Sequence, residues 1–173
     1  MRNLISIIIF FLIINLNNTL YANEKIVYLN VNFVFSNSIS GKEANKSFEN
    51  KVKNLENEVN RFTKSINNEK DKLIKQKNIL LNEEFNKKFS DIDNKIKEFN
   101  KKIKIKNDEI MNLRKRVRSN FTKELKKILS NYSAENSINM IFNQEDILVG
   151  SKTLDISNDI LKIVDSNKIK LIE

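Results

Sequence analysis

Residues 48–117 read FENKVKNLENEVNRFTKSINNEKDKLIKQKNILLNEEFNKKFSDIDNKIKEFNKKIKIKNDEIMNLRKRV. Apolar residues recur at Phe48, Val52, Leu55, Val59, Phe62 and Ile66 in alternating steps of four and three, and Leu73 and Leu80 keep the phase. That spacing is a heptad seam, the pattern of paired helices. A second series runs Phe85, Phe89, Ile92, Ile96, Phe99, Ile103, Ile110, Leu113 and Val117, with Lys106 at the one missing step. Seven-residue intervals counted from Leu80 reach Lys87, whereas the second series has Phe89, so the register slips near 78–84. A turn there accounts for the slip. Asn82 before Glu83 and Glu84 reads as an N-cap followed by acids at the positive end of a new helix dipole.

Two helices, Gly41 to Ile79 and Glu83 to Tyr132, are therefore expected to fold back on one another as an antiparallel coiled-coil hairpin. At 1.5 Å per residue they span roughly 60 and 75 Å. Past Val117 the apolar residues fall at Phe121, Leu125, Ile128 and Tyr132, which relaxes the supercoil where an arm joins a body. Ile74, Leu81, Ile105, Met111 and Leu129 fall beside the seam. Such residues either widen the seam or face outward as sequence-tolerant apolar contacts.

The flanks read differently. Lys25 to Asn32 alternates as a strand, with Val27, Leu29 and Val31 on one face and Ile26 and Tyr28 on the other. Ile138–Phe142, with Met140 at its centre, and Ile147–Val149 read as two more strands, joined by a hairpin turn at 143–146. Ser157 before Ile160, Leu161, Ile163 and Val164 reads as the N-cap of a short closing helix. The fold class is thus α+β: a small sheet body, residues 23–40 and 133–173, carrying a helical arm, residues 41–132, with its tip near 79–84. A body of that size with strands apolar on both faces, in a chain with no Cys, is expected to need copies of itself. Val27, Leu29, Val31, Ile138, Met140, Ile147 and Val149 are the residues expected to hold it together.

Residues 1–22 carry one positive charge at Arg2, an apolar run from Leu4 to Leu16, and small Ala22, with bulky Leu20 two places earlier. The run falls short of the roughly 20 residues of a membrane span and has the layout of a cleaved signal peptide, so the mature chain is expected to start at Asn23 and to be exported. No Cys follows the run to take a lipid.

Of the 173 residues, 31 are Lys or Arg and 22 Asp or Glu, and there is no His. Residues 45–132 hold a net charge of +11, the mature flanks −3. Most of the positive charge is Lys, a hydrated point charge suited to diffuse attraction rather than forked recognition. Without His or Cys the usual metal, thiol and imidazole chemistries are missing. The carboxylate pairs Glu83–Glu84 and Asp108–Glu109 sit on solvated helix rather than in a cleft that would make a general acid or base of them. An enzyme, a cofactor and a metal are therefore not expected. Nor is nucleic acid: base-stacking aromatics interleaved with Arg are missing, and export opposes it.

The order of these pieces resembles the Skp, or OmpH-like, family of periplasmic chaperones. The resemblance rests on the leader, the strand Ile26-Val27-Tyr28-Leu29-Asn30-Val31, the lead-in Ser40-Gly41-Lys42-Glu43-Ala44, the tip Leu80-Leu81-Asn82-Glu83-Glu84 and the ending Asp155-Ile156-Ser157 before an apolar helix. It implies a homotrimer whose sheet body carries three arms around a cavity, acting as an ATP-independent periplasmic holdase for unfolded outer-membrane proteins. An arm with Ile74, Leu81, Ile105 and Met111 beside Lys87, Lys88, Lys101 and Lys102 suits such clients. An anionic lipid or lipopolysaccharide surface is a further partner the resemblance implies, at a position that helix register leaves open. The rival reading is a structural or adhesive coiled-coil envelope protein, which predicts fixed partners and no suppression of aggregation.

Overall fold

The structure is a computed structural model and describes residues 24–172; the expected signal peptide lies outside the described residues. Strand β1 spans Ile26–Leu29 and is followed by a short helix α1, Val31–Asn37. Helices α2, Ile39–Lys75, and α3, Asn82–Glu135, come next. Strand β2, Met140–Asn143, and helix α4, Ser157–Ser166, complete the order, with single 3-10 turns at Gln144–Asp146 and Lys152–Leu154 between them. Thirty-seven and 54 residues make α2 and α3 about 55 and 80 Å long.

The two long helices lie along one another, with residue numbers falling on α2 as they rise on α3. Lys106 bonds Glu58, Lys102 bonds Glu58 at 2.7 Å, and Lys95 bonds Glu69 at 2.7 Å. The Phe62 and Phe99 rings stack at 3.7 Å between centroids and 8° between planes. Of the apolar seam positions named above, Phe89 alone is exposed. The Glu69–Lys95 pair places Phe89 level with the last residues of α2, so its opposite wall stops there.

α2 ends at Lys75 and a compact turn follows, in which the N–H groups of Ile79 and Leu80 donate to Gln76 O at 2.9 and 3.0 Å. Glu83 and Glu84 stand in the first turn of α3, as expected; Asn82 does not cap it, because Leu81 holds the cap position and makes no side-chain bond.

β1 and β2 pair in parallel across the whole helical excursion, Ile26 opposite Met140 and Tyr28 opposite Phe142. Ile147–Val149 is not a strand, so the expected hairpin is absent and the loop instead runs back over Tyr28, where a Cβ on Gly150 would stand 2.8 Å from the ring. Val31 also departs from its expected role. It begins α1, because the Asn30 side chain accepts from Phe33 N at 2.7 Å and caps a helix where a strand was expected to continue. Ser157 is the first residue of α4 rather than its cap. Its N–H donates to Asp155 Oδ1, and its hydroxyl accepts from Asn30 N at 2.8 Å, tying β1 to the closing helix.

One core joins the body to the roots of both long helices. Val27, Leu29, Val34, Phe35, Ala44, Phe48, Val117, Phe121, Leu125, Ile160 and Val164 all lie in it. Phe35 meets Phe121 edge to face at 5.0 Å. A second cluster, Ile66, Leu73 and Ile92 with Phe62, Leu80, Phe85 and Ile96 against it, stabilises the far end. Between the clusters the contact is thinner and more polar, and the Glu58–Lys102–Lys106 group fills the gap in the heptad pattern.

Candidate interaction surfaces

Lysine hydrogen bonds hold the Glu58 carboxyl below its ordinary range, Lys102 contributing most and Lys106 next. A carboxylate whose pKa falls on folding contributes stability above its unfolded pKa and loses it as pH drops through the folded value. Acidification is therefore expected to lower amide protection, the exchange rate taken relative to the intrinsic rate at the same pH, around residues 55–60 and 101–107 before it does so around Phe121. In Glu58→Gln that acid-dependent loss of protection should be missing. Equal loss in both proteins would show that the pair does not hold the middle of the arm.

Ile74, Leu81, Ile105 and Met111 are all exposed. Leu129 is not, because it packs on the body core. Sequence reasoning passed over Ile79 and assigned Phe89 to the seam. Ile79 is 83% and Leu81 77% exposed, so the far end presents Ile74, Ile79, Leu81 and Phe89 to solvent together. Ile79 was detectable as an apolar residue inside the predicted turn; nothing in the phase of Phe89 marked it. Lys87, Lys88, Lys101 and Lys102 are exposed as well. Lys88 bonds Glu84 at 3.2 Å and Lys102 bonds Glu58, while Lys87 and Lys101 make no ion pair among the described residues. The carboxylates beside Lys88 and Lys102 offset their charge at a distance, so Lys87 and Lys101 carry most of the long-range field of this group.

The residues expected to hold copies together divide into two sets. Val27, Leu29 and Ile138 belong to the protomer's own core, Leu29 being only 1% exposed, and Val31 packs against it. Met140 and Val149 face solvent, and Ile147 is half-buried. The exposed outer face of the sheet consists of Ile26, Met140 and Phe142, with Leu148 and Val149 exposed on the neighbouring loop. Tyr28, on this same face, lies buried under the loop at Gly150, so Ile26, Met140 and Phe142 are the part of it left uncovered, where parallel strands are ordinarily covered on both faces.

The fold and these surfaces amount to a small sheet body that roots two long paired helices, rich in lysine along their length and apolar at the far end. The chain belongs to the OmpH-like outer membrane protein family, whose model matches residues 25–164. A search of curated proteins finds no match. Among solved structures, the chain is similar to a Caulobacter crescentus CB15 protein proposed to be an OmpH-like outer membrane chaperone. That similarity has a TM-score of 0.79 at 14% identity and covers 88% of this chain and 89% of that one. At such identity the likeness concerns the fold.

Proposed function

We propose that this protein is an ATP-independent periplasmic holdase that keeps unfolded outer-membrane β-barrel proteins from aggregating. Residues 1–22 direct export. Residues 23–40 and 133–173 form a trimerising body, and residues 41–132 form an antiparallel coiled-coil arm whose root shares the body core. Family membership and the chaperone role proposed for the Caulobacter protein support this reading. The observation that carries it is the setting of Ile74, Ile79, Leu81, Ile105 and Met111: exposed apolar side chains on long helices rich in Lys.

A barrel strand in water exposes alternating apolar side chains and unpaired backbone, and it associates with its like unless shielded. Scattered apolar contacts hold such a chain without reading its sequence, and the lysine field draws in clients of net negative charge. No hydrolysis is needed, because release follows from loss of the client's exposed apolar surface as it folds.

Light scattering after dilution of a urea-unfolded barrel protein tests the proposal. Scattering should fall to near background at a few-fold molar excess of this protein, more completely at low salt than high. Unchanged scattering at every ratio favours the structural coiled-coil reading.

A further inference from the structure

A heptad seam does not fix its own alignment. Apolar residues recur every seven positions on both long helices, so sliding α3 along α2 by one heptad, roughly 10 Å, sets apolar side chains against apolar side chains again. The turn does not prevent this. Residues 76–81 contain no Gly or Pro, main-chain bonds close the turn, and α3 starts without a side-chain cap. A slide of one heptad therefore needs only a turn moved by about half a heptad. The body does not tolerate the slide. β1 precedes α2 and β2 follows α3, and roughly 10 Å is about three residues of strand, which leaves the four residues of β1 a single partner on β2.

Two charged residues interrupt the seam, Glu69 on α2 and Lys106 on α3, and each pairs across to the other helix, Glu69 with Lys95 at 2.7 Å and Lys106 with Glu58. The two pairs differ in what they discriminate. One heptad to either side of Lys95 stand Lys88 and Lys102, so Glu69 meets a lysine in all three alignments. One heptad to either side of Glu58 stand Lys51 and Ser65. Lys102 and Lys106 share Glu58 here; after a slide they would meet a like charge in one direction and an uncharged hydroxyl in the other. Lys106 is the costlier to leave unpaired, because it stands at a seam step and lines one cleft with Leu55 and Ile110. A single polar residue in a seam is a known means of specifying alignment.

The place of this group in the arm matters as much as its charge. It lies between the far cluster, which surrounds the turn, and the core at the root. Contacts near a turn join residues close in sequence and form early, whereas β1 and β2 meet only across the whole of both helices.

We infer that Glu58, shared by Lys102 and Lys106, is the register key of the arm, rejecting hairpins one heptad out of alignment before the body closes on them. The inference does not rest on the holdase reading, and the two fail separately.

Refolding of the purified chain by dilution from urea, followed by tyrosine emission, tests it, because Tyr28 is buried in the body and Tyr132 packs on its core. Ser65 is exposed, so Ser65→Glu and Ser65→Gln should share one urea midpoint, yet only Ser65→Glu offers the slid alignment a carboxylate. Ser65→Glu is expected to gain a refolding phase about tenfold slower than wild type, missing from Ser65→Gln. Lys102→Gln/Lys106→Leu, which has no key, should show the same slow phase at a midpoint equal to or above that of wild type, while Lys95→Gln refolds within about twofold of the wild-type rate. If the double variant does not fold, Ser65→Glu against Ser65→Gln decides. Wild-type kinetics in Ser65→Glu would overturn the key, as would a slow phase that Lys95→Gln or Ser65→Gln shares.

Discussion

Replacing Gly41 with alanine is expected to lower the stability of the protein by about 3 kcal/mol, although the residue sits inside a helix where alanine is ordinarily the better choice. A Cβ there would stand 1.7 Å from the main-chain oxygen of Phe35 and 2.9 Å from the Ser38 hydroxyl. The nearest atom is backbone, so no side-chain rotation relieves the clash. The short helix α1 and the first turn of α2 cross at this point. Ser38, fully buried, caps α2 through Gly41 N at 3.1 Å and donates its own hydroxyl to Phe35 O at 3.0 Å. The crossing brings Phe35 and Phe48 into one core with Phe121, so an outward shift of α2 loosens the shared root of body and arm. Helix propensity alone predicts a gain of up to about 1 kcal/mol, opposite in sign. Urea unfolding followed by far-ultraviolet circular dichroism decides between them, and a midpoint at or above wild type would show that the crossing has room.

The second large effect concerns assembly. The double variant Met140→Glu/Phe142→Glu should sediment as a single chain at micromolar concentration while keeping its helical signal. Both side chains are exposed within the protomer, Met140 at 56%, so carboxylates there cost the isolated fold little. Buried between copies, an unpaired carboxylate costs several kcal/mol, and each apolar side chain withdrawn from an interface forfeits about 1.5–3 kcal/mol. Val27 and Leu29 do not serve this purpose. They face the protomer's own core, so a charge at either destroys the fold before it reports on assembly. A double variant that sediments like wild type would place any interface elsewhere.

The long helices were legible because a seam repeats many times, and one slip in its phase placed the turn at 78–84 against the observed break at 76–81. Short elements offer no such averaging. Val31–Asn37, with Val and Phe prominent, carries the composition of a strand; Asn30, whose side chain caps a helix there, was the overlooked signal. Ile147–Val149 is as apolar as β2, yet it is loop, with Leu148 and Val149 exposed, because only contacts distant in sequence decide which apolar run pairs. The alternation of β1 revealed two faces without saying which was inward. Off-seam positions of a two-helix pair can widen the seam or face solvent; Ile74, Leu81, Ile105 and Met111 take the second course, and Leu129 packs on the body core. The exposure of Ile79 in the turn and of Phe89 beyond the end of its partner helix carried no such mark.

Sedimentation of the purified protein, alone and then with one unfolded barrel client per three chains, tests the central claim most directly. The account predicts a species of three chains that takes up one client and gains its mass while remaining soluble. A single-chain species, or three chains that leave the client to pellet by itself, would contradict it.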